Sequence, residues 1–431
     1  MSKITKKETI FTIFLAIWMM FPVLKEIKGI STYIFNYQYL YMIIIGFIGL
    51  FCFLFYLIKY FSCTENKKES LKNMLPILLF GIFMIWTLFS TVFSDNKTNA
   101  FYGTSYRKDG YISYLAYAGF FSLAFLISSS TMKKIIMNLF IGTSILNIVL
   151  LVISNQGFCL KLLLIRDLQT TCFLNSNHYG YFLLLATVTA NFLMITSKSC
   201  WQKLIYLISY SFLLYFLILN NTFGAYLAFI ITLLIFLGYT LYIKKNRKIA
   251  IASIVLFLLI SLCLPSTRSI TKENVTTFFS DIQHLFMLKN VESNKALIKD
   301  IENGGSGRIK LWKYGFQFFM QNPILGYGPE NLESKYQAVG IEQDRPHNLI
   351  VQLATTSGII GLLSYLSAIG IILIRGLKSM DLENSFLVIS LACVIAYMIS
   401  AMFGNSMYYT SPYFFIFLGI LFQQIKQKTK T

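Results

Sequence analysis

The sequence predicts an all-α polytopic membrane protein with about twelve transmembrane helices and one large extracytoplasmic loop. Hydrophobic residues make up 56% of the 431 residues and charged residues only 13%, about half the charged fraction of a soluble domain. Apolar runs of about 17–25 residues, the length that crosses a hydrocarbon core, recur along the chain. Such runs satisfy their backbone hydrogen bonds in lipid by forming helices, which gives the fold class.

The apolar runs divide the chain into three parts. We expect nine spans in residues 1–264, a large loop with helices in 265–346, and three spans with a short tail in 347–431. No small-residue cleavage site follows the first run, so we expect an uncleaved helix there. The runs are centred near Phe14, Phe47, Phe83, Leu115, Asn147, Leu184, Leu214, Ile231, Leu258, Gly361, Ile395 and Phe417.

The net charge of +19 is explained by the distribution of basic residues between the two sides of the membrane and does not indicate nucleic-acid binding. If the N-terminus is inside and each run crosses once, most basic residues fall in the inside loops, which is the pattern of cytoplasmic loops. The sequence therefore predicts both termini in the cytoplasm. The basic residues placed inside are Lys3, Lys6, Lys7, Lys67, Lys68, Lys72, Lys133, Lys134, Lys198, Lys203, Lys244, Lys245, Arg247, Lys248, Arg375, Lys378, Lys426, Lys428 and Lys430.

Most polar residues outside the spans lie on the opposite side, in segments 94–110, 155–174 and 265–346. The last is too long for a simple connection and is expected to have a function. Its residues Phe278, Phe279, Ile282, Leu285 and Phe286 follow a helical period, which predicts an amphipathic helix lying on the membrane.

Arg308 follows the glycine-rich stretch 304–307, in which Ser306 is a candidate N-cap for a helix that ends at Asn322-Pro323. Helix N-terminal amides together with a guanidinium make a natural anion site, for which phosphate is the obvious ligand. An interfacial Arg that extends to lipid headgroups accounts for the same residues equally well.

His347 follows Pro346 at the start of a long apolar run. In the first turn of a helix the helix dipole would lower its pKa, and a neutral imidazole at the outer rim could take a proton from an alcohol. An interfacial His satisfied by water explains the spacing at least as well. The seven cysteines show no zinc-ligand spacing.

Two motif blocks carry a family resemblance: SGRIKLWKYGFQFFMQNPILGYG, followed by RPHNLIVQLATTSGIIGLLSYL. They are similar to blocks of the O-antigen ligase and O-antigen polymerase superfamily of bacterial membrane glycosyltransferases. The shared pattern is an Arg and a Trp on a helix, a Pro-hydrophobic-Gly-x-Gly turn, and a His-Asn pair entering a span with Gly-x-x-Gly. The matching positions are Arg308, Trp312, Pro323, Gly326, Gly328, His347, Asn348, Gly358 and Gly361.

The resemblance implies a multi-span, GT-C-like, metal-independent glycosyltransferase without a cofactor. Such enzymes transfer a glycan from undecaprenyl diphosphate to an acceptor sugar hydroxyl at the outer face of the cytoplasmic membrane. His347 would be the base or would orient the acceptor, and Arg308 would stabilise the diphosphate. The expected supporting residues are Asn348, Trp312 and Asn177.

One position departs from the family pattern. Many members have Ser-Arg-Gly at the outer start of the eighth span, where this chain has Thr222-Phe223-Gly224. The arginine credited with holding the donor diphosphate is therefore absent at Phe223. The candidates to replace it are Arg107, Arg345 and Arg166.

Several functional alternatives stay open. A polymerase is slightly favoured over a ligase, because the Phe, Ile, Lys, Asn and Tyr content suggests an AT-rich genome typical of groups without lipid A. A polysaccharide flippase is a third hypothesis, although its charged mid-membrane residues are missing from these spans. A wall-synthesis scaffold would leave Arg308 and His347 unexplained. The expected partners are the lipid-linked oligosaccharide, an acceptor glycan, the bilayer and, as a candidate, a chain-length regulator.

Overall fold

The computed structural model of the chain describes residues 4–157, 162–287 and 308–428. Helices make up most of these residues, and their only β-pairing is an isolated bridge between Ile27 and Leu163. The predicted all-α polytopic membrane fold is thereby confirmed. In chain order the helices are α1 (Lys6–Leu24), α2 (Ser31–Cys63), α3 (Lys67–Val92), α4 (Lys97–Tyr102), α5 (Tyr111–Leu126), α6 (Ser130–Asn155), α7 (Ser176–Thr196), α8 (Cys200–Leu219), α9 (Phe223–Ile243), α10 (Arg247–Cys263), α11 (Pro265–Met287), α12 (Arg308–Gln321), α13 (Glu333–Ala338), α14 (Leu349–Lys378), α15 (Ser385–Ser400) and α16 (Ser411–Lys428).

The predicted number of twelve spans is not confirmed. Each of the twelve apolar runs forms a helix, but in the described ranges nine helices are long and apolar enough to cross a membrane. A tenth span results if α10 and the start of α11 count as one bent pair. Helix α5 has only 16 residues, and α16 ends in the polar sequence QQIKQK. The division at residues 264 and 346 stays a prediction.

The bundle has a central helix, α7, with almost every residue buried. A helix that is apolar on all sides in this way belongs in the interior of a bundle. Helices α5 and α16 are also buried along most of their length. Helices α2 and α3 expose most of their apolar side chains, so they face the lipid.

Helices α2 and α5 approach each other so closely that only small residues fit between them. A Cβ on Gly119 would lie 1.7 Å from the carbonyl oxygen of Gly46, and a Cβ on Gly49 would lie 2.3 Å from that of Gly119. In lipid the hydrophobic effect does not drive helices together. Small residues stabilise such a crossing because they let the two backbones pack closely.

Helix α14 is broken at Gly358, where φ is 62° and ψ is −172°. The turn formed by residues 323–328 inserts at this break and supplies the hydrogen bonds that the helix loses there. The bonds run from Tyr327 N to Thr355 O (2.9 Å), from Gly328 N to Thr356 O (2.9 Å) and from Ile359 N to Pro323 O (2.8 Å).

Helix α3 holds the same turn from the other side. The Trp86 indole N–H donates to Ile324 O over 3.0 Å, and the Ser90 hydroxyl donates to Leu325 O. A Cβ at position 358 would lie 1.9 Å from Ile324 O, so the close approach requires Gly358. The two motif blocks of the sequence therefore interlock, and their glycines are sites of backbone contact.

Helix α11 leaves α10 with a bend of 99°, as expected of a helix that turns away from a span. Its buried face consists of Thr267, Thr271 and Asn274, whereas Val275 and Phe279 are exposed. A helix therefore covers the predicted segment, but its amphipathic character and its position on the membrane stay a prediction. The side chains of Ile282, Leu285 and Phe286 lie outside the described residues.

Candidate active site

Polar residues from separate segments meet at the end of the bundle where α3 and α15 end and α5, α14 and α16 begin. This is the outer end in the predicted topology. Segments 104–107 and 330–347, with one residue of α14, enclose a cavity of about 480 Å³. The cavity is lined by Thr104, Ser105, Tyr106, Arg107, Glu330, Leu332, Glu333, Glu342, Gln343, Asp344, Arg345, His347 and Gln352.

Arg345 lies at the centre of a buried charge network, with only 2% of its side chain exposed. Glu330 forms an ion pair with it, Asp344 lies 3.3 Å from its Nε, and Asp109 lies 3.7 Å from its Nη1. Burial acts to lower the pKa of Arg345, but the carboxylates raise it above its usual value. Because its charge is balanced inside the protein, the geometry argues against the predicted contact between Arg345 and a donor diphosphate.

Asp109 extends this network to α5 and to the segment before α16. Its carboxylate accepts hydrogen bonds from the Tyr117 and Ser406 hydroxyls, both over 2.6 Å. Burial raises the pKa of Asp109 to about 6, with Arg345 opposing the shift and Glu330 adding to it. The network therefore contains a carboxyl that titrates close to neutral pH.

Arg107 binds the carboxylate of Asp344 with two hydrogen bonds, from Nε over 2.7 Å and from Nη2 over 2.8 Å. Burial acts to raise the pKa of Asp344, but Arg345 and Arg107 bring it below its usual value. The side chain of Arg107 keeps 14% of its surface exposed and lines the cavity. Of the three predicted replacement arginines, only Arg107 combines exposure with a place in the site.

His347 does not lie in the first turn of α14, and the prediction that placed it there is wrong. The helix begins at Leu349 because the Asn348 side chain caps it, accepting from Ile350 N over 2.9 Å and from Val351 N over 3.1 Å. His347 precedes the cap with φ at 52°, in the left-handed region.

The pKa of His347 is lowered to about 4, and burial is the largest cause. Asp344 acts to raise it, whereas Arg107, Arg308 and Arg345 lower it further. The imidazole is therefore neutral at pH 7, as predicted, although burial and arginines account for this instead of the helix position. Its Nδ1 lies 3.1 Å from the side-chain nitrogen of Asn405.

Asn348 and Trp312 hold the backbone around His347. The Asn348 amide donates to Met402 O over 3.1 Å, and the Trp312 indole N–H donates to Pro346 O over 3.0 Å. Both supporting residues are thus adjacent to the site, and each fixes a chain segment by a backbone contact.

Arg308 begins α12 and is half-buried. Helix α12 packs against the first turns of α14 through Gly315, where a Cβ would lie 2.5 Å from the Val351 side chain. This packing brings Arg308 close enough to His347 to lower its pKa. The predicted N-cap Ser306 lies outside the described residues.

Arg166 and Asn177 do not line the cavity. The Arg166 guanidinium donates to the Ser31 hydroxyl over 2.7 Å, and its Nε lies 3.4 Å from Glu26, at the connection between α1 and α2. Asn177 lies in the first turn of α7, where Asn175 caps its backbone N–H. Neither position supports the role predicted for these two residues.

The structure adds residues that the sequence motifs did not single out. Glu330 and Asp344 balance the two arginines, and Asn405 and Ser406 contact His347 and Asp109. Asp344, Asn405 and Ser406 lie next to the ends of predicted spans, which is the sequence signal that they share, whereas Glu330 lies inside the predicted loop. His178 is also buried nearby, within electrostatic reach of Arg107, Arg345 and His347.

Among the residues described, no group of three or more His, Cys, Asp or Glu side chains could hold a metal ion.

The fold and the cavity define a multi-span membrane protein with a polar site at one end of its bundle. Residues 208–366 match the family model described as O-antigen ligase. The match supports the O-antigen ligase and polymerase superfamily, glycosyl transfer of that general type and a bacterial inner-membrane location. The matched range contains Arg308, Trp312 and His347, whereas Arg107 and Asn405 lie outside it. No curated protein sequence matches the chain.

Proposed function

We propose that the protein transfers a glycan from undecaprenyl diphosphate to an acceptor sugar hydroxyl at the outer face of the cytoplasmic membrane. We further propose that the acceptor is the next lipid-linked repeat unit, as in a polymerase. The observation that carries the proposal is a neutral imidazole, His347, on the wall of a polar cavity of about 480 Å³.

The cavity suits the acceptor sugar. Glu333, Glu342, Gln343 and Gln352 present carboxylate and amide groups to it, which are the partners that sugar hydroxyls need. Its volume lies within the range of small-ligand sites, about 300–1,000 Å³. Its acidic residues favour the acceptor sugar as the main occupant, with the donor diphosphate at the part of the cavity formed by Arg107.

The transfer requires a base at the acceptor and positive charge at the leaving group. The acceptor oxygen forms a bond to the anomeric carbon of the donor glycan, and the bond from that carbon to the diphosphate breaks. The electron pair leaves with undecaprenyl diphosphate. The acceptor proton passes to His347 where His347 acts as the base, and to the departing diphosphate where His347 only orients the hydroxyl.

We assign the leaving diphosphate to Arg308, with help from the exposed edge of Arg107. Cations placed where negative charge develops stabilise the transition state. Arg345 supports this arrangement by fixing Glu330 and Asp344. Arg166 has no part in it because it lies beside Glu26.

The polyprenyl tail has a candidate site in an apolar groove of about 510 Å³ between α2, α3 and α5. The segment that joins α3 to α5 contains Arg107, so we place the diphosphate of a tail bound in this groove at that end of the two helices. The groove is lined by Leu50, Phe53, Leu54, Leu57, Ile77, Leu78, Phe80, Gly81, Ile82, Met84, Ile85, Ala118, Phe121, Ser122 and Phe415.

The test is reconstitution in liposomes with a labelled undecaprenyl-diphosphate repeat unit as the only substrate and no energy source. A ladder of longer lipid-linked products is expected for a polymerase. Transfer only after addition of a separate acceptor would identify a ligase. Absence of transfer in both assays would contradict glycosyl transfer of these substrates and favour a transporter. The product lengths also show whether a chain-length regulator is needed.

Two substitutions test the assigned residues. His347→Ala is expected to lower transfer by about 10²–10⁴-fold, the usual contribution of a general base, and Arg308→Ala to lower it strongly as well. Arg268→Ala, on the exposed face of α11, is the matched control and should keep full transfer. Full transfer by both site variants would show that the assignment is wrong.

A further inference from the structure

The segment 401–410, between α15 and α16, contacts several residues of the site. Ser406 donates its hydroxyl to Asp109 and accepts from Arg345 at its carbonyl oxygen over 3.4 Å. Asn348 binds the carbonyl of Met402. The segment is fixed against α7, because a Cβ on Gly404 would lie 1.8 Å from the Tyr181 hydroxyl. It lies outside the range that matches the family model.

Asn405 in this segment contacts His347 directly. Its side-chain Nδ2 lies 3.1 Å from Nδ1 of His347, and the residue is 6% exposed. Its Oδ1 is buried and has no hydrogen-bond partner among the described residues. We propose that Asn405 is a positioning residue that selects the tautomer of His347, the histidine of the proposed reaction.

The selection follows from hydrogen-bond chemistry. An amide nitrogen only donates, so in this orientation Nδ1 of His347 must accept and the ring proton resides on Nε2. The ring then presents an N–H to its surroundings and can orient a hydroxyl. A half-turn of the Asn405 amide would place Oδ1 against Nδ1, move the proton to Nδ1 and make Nε2 a base. The unpaired Oδ1 gains a partner in that half-turn.

Among the described residues, Asn405 provides the side-chain hydrogen bond to the His347 ring. Both oxygens of the Asp344 carboxylate bind Arg107. Arginines carry no acceptor and stay protonated, so they shift the proton affinity of the ring without choosing between its nitrogens. The titratable and charged groups that face His347 are Asp344, Arg107, Arg308, Arg345 and His178.

The first test reads the tautomer by ¹⁵N NMR of histidine-labelled protein, which contains three histidines. The His347 signals are assigned by their loss in His347→Gln. The wild type is expected to show protonated Nε2 and unprotonated Nδ1. Asn405→Asp, whose carboxylate only accepts, should invert the tautomer, and Asn405→Leu should give a mixture. Asn138→Leu, at the other end of the bundle, should leave it unchanged.

The second test is the pH profile of transfer. A carboxylate at position 405 stabilises the protonated imidazole, so the acidic limb of the profile should move to higher pH in Asn405→Asp. Asn405→Leu should lower kcat with KM unchanged, because the acceptor still binds while part of the histidine has the wrong tautomer. A purely structural role of Asn405 would lower the melting temperature of Asn405→Leu and leave the kcat of its folded fraction unchanged.

The positioning role rests on the proposed function, but the two can fail separately. If the tautomer is the same in wild type, Asn405→Asp and Asn405→Leu, the positioning role is wrong, whatever His347→Ala does to transfer. If the tautomer follows residue 405 while His347→Ala keeps full transfer, the positioning role holds and the proposed role of His347 in the reaction is wrong.

Discussion

At Arg345, a guanidinium with 2% of its side chain exposed meets three carboxylates, from Asp109, Glu330 and Asp344. A buried ion network of this kind contributes little over well-packed apolar residues. Loss of one member is costly, because charges are left buried without a partner. Arg345 is therefore a structural centre of the site, and its removal should affect folding before it affects chemistry.

We predict that Arg345→Met lowers the free energy of unfolding by about 3–5 kcal/mol, the usual cost of breaking a buried pair. Thermal unfolding in detergent would show this as a lower melting temperature. Arg268→Met, which removes an exposed arginine of α11, is the control and should change stability by less than about 0.5 kcal/mol. Equal melting temperatures for Arg345→Met and this control would contradict the network.

His347 makes stability depend on pH. In the unfolded chain a histidine takes up a proton below about pH 6.5, whereas folded His347, with its pKa lowered to about 4, stays neutral. The unfolded state therefore binds more protons between these values, and stability falls as the pH is lowered through this window.

We predict that this residue accounts for about 2 kcal/mol of the stability lost between pH 7 and pH 5. His347→Gln should therefore lose less stability than the wild type over that interval. The measurement is the melting temperature of both proteins at the two pH values. Asp109, whose raised pKa acts in the opposite direction, is present in both and cancels. An equal loss in both proteins would show that His347 is not held neutral.

Site residues that belong to a sequence motif can be predicted from the sequence. Site residues that only lie near the motif in the folded protein cannot. His347 and Arg308 come from contiguous blocks, so their patterns are readable. Asp109 and Arg345 are more than 200 positions apart, and their contact depends on how the fold brings together the segments before α5 and α14. The sequence therefore presents Arg345 as an available cation, whereas the fold surrounds it with acids.

Helix α14 is one element built from two helical pieces with a turn of another segment between them. The carbonyl groups freed by the break at Gly358 would be costly in lipid without partners. The turn 323–328 provides those partners and connects α14 to α12, which carries Arg308. The break thus sets the distance between the helix of Arg308 and the residue that precedes α14, His347.

We predict that Gly358→Ala destabilises the protein by about 2–4 kcal/mol, from the strained positive φ and the overlap with Ile324 O. Transfer activity should fall with it, because Arg308 and His347 lose their alignment. Gly370→Ala, in the same helix and with no atom near its added methyl, should be neutral or slightly stabilising. Melting temperatures of the two variants provide the comparison, and a neutral Gly358→Ala would rule out the interlocking of turn and helix.

The predicted elements agree with the structure where hydrophobic length determines them. All twelve apolar runs form helices, because a long apolar segment has no alternative in lipid. Helix starts are less predictable, as at α14, where the Asn348 cap and not Pro346 decides the first residue. The break at Gly358 has no local signature that distinguishes it from a packing glycine.

The molecule as a whole separates its charges between two ends. The cavity and its carboxylates lie at the end where α5 and α14 begin. At the opposite end Arg375 binds the carbonyls of Lys72 and Asn73, and Lys245 pairs with Glu383. The loops that carry most of the predicted inside residues are thus grouped at the end away from the cavity, as the positive-inside pattern requires.

We predict that the end of the bundle with the cavity faces outwards and that the opposite end, with Arg375 and Lys245, faces the cytoplasm. In a variant with its seven native cysteines replaced, Ser334→Cys near the cavity should react with a membrane-impermeant maleimide in intact cells. Lys68→Cys at the opposite end should react only after the membrane is permeabilised. Both positions are exposed, so unequal labelling reports the side of the membrane and not burial. The reverse pattern would place His347 in the cytoplasm, where an outer-leaflet transfer reaction could not use it.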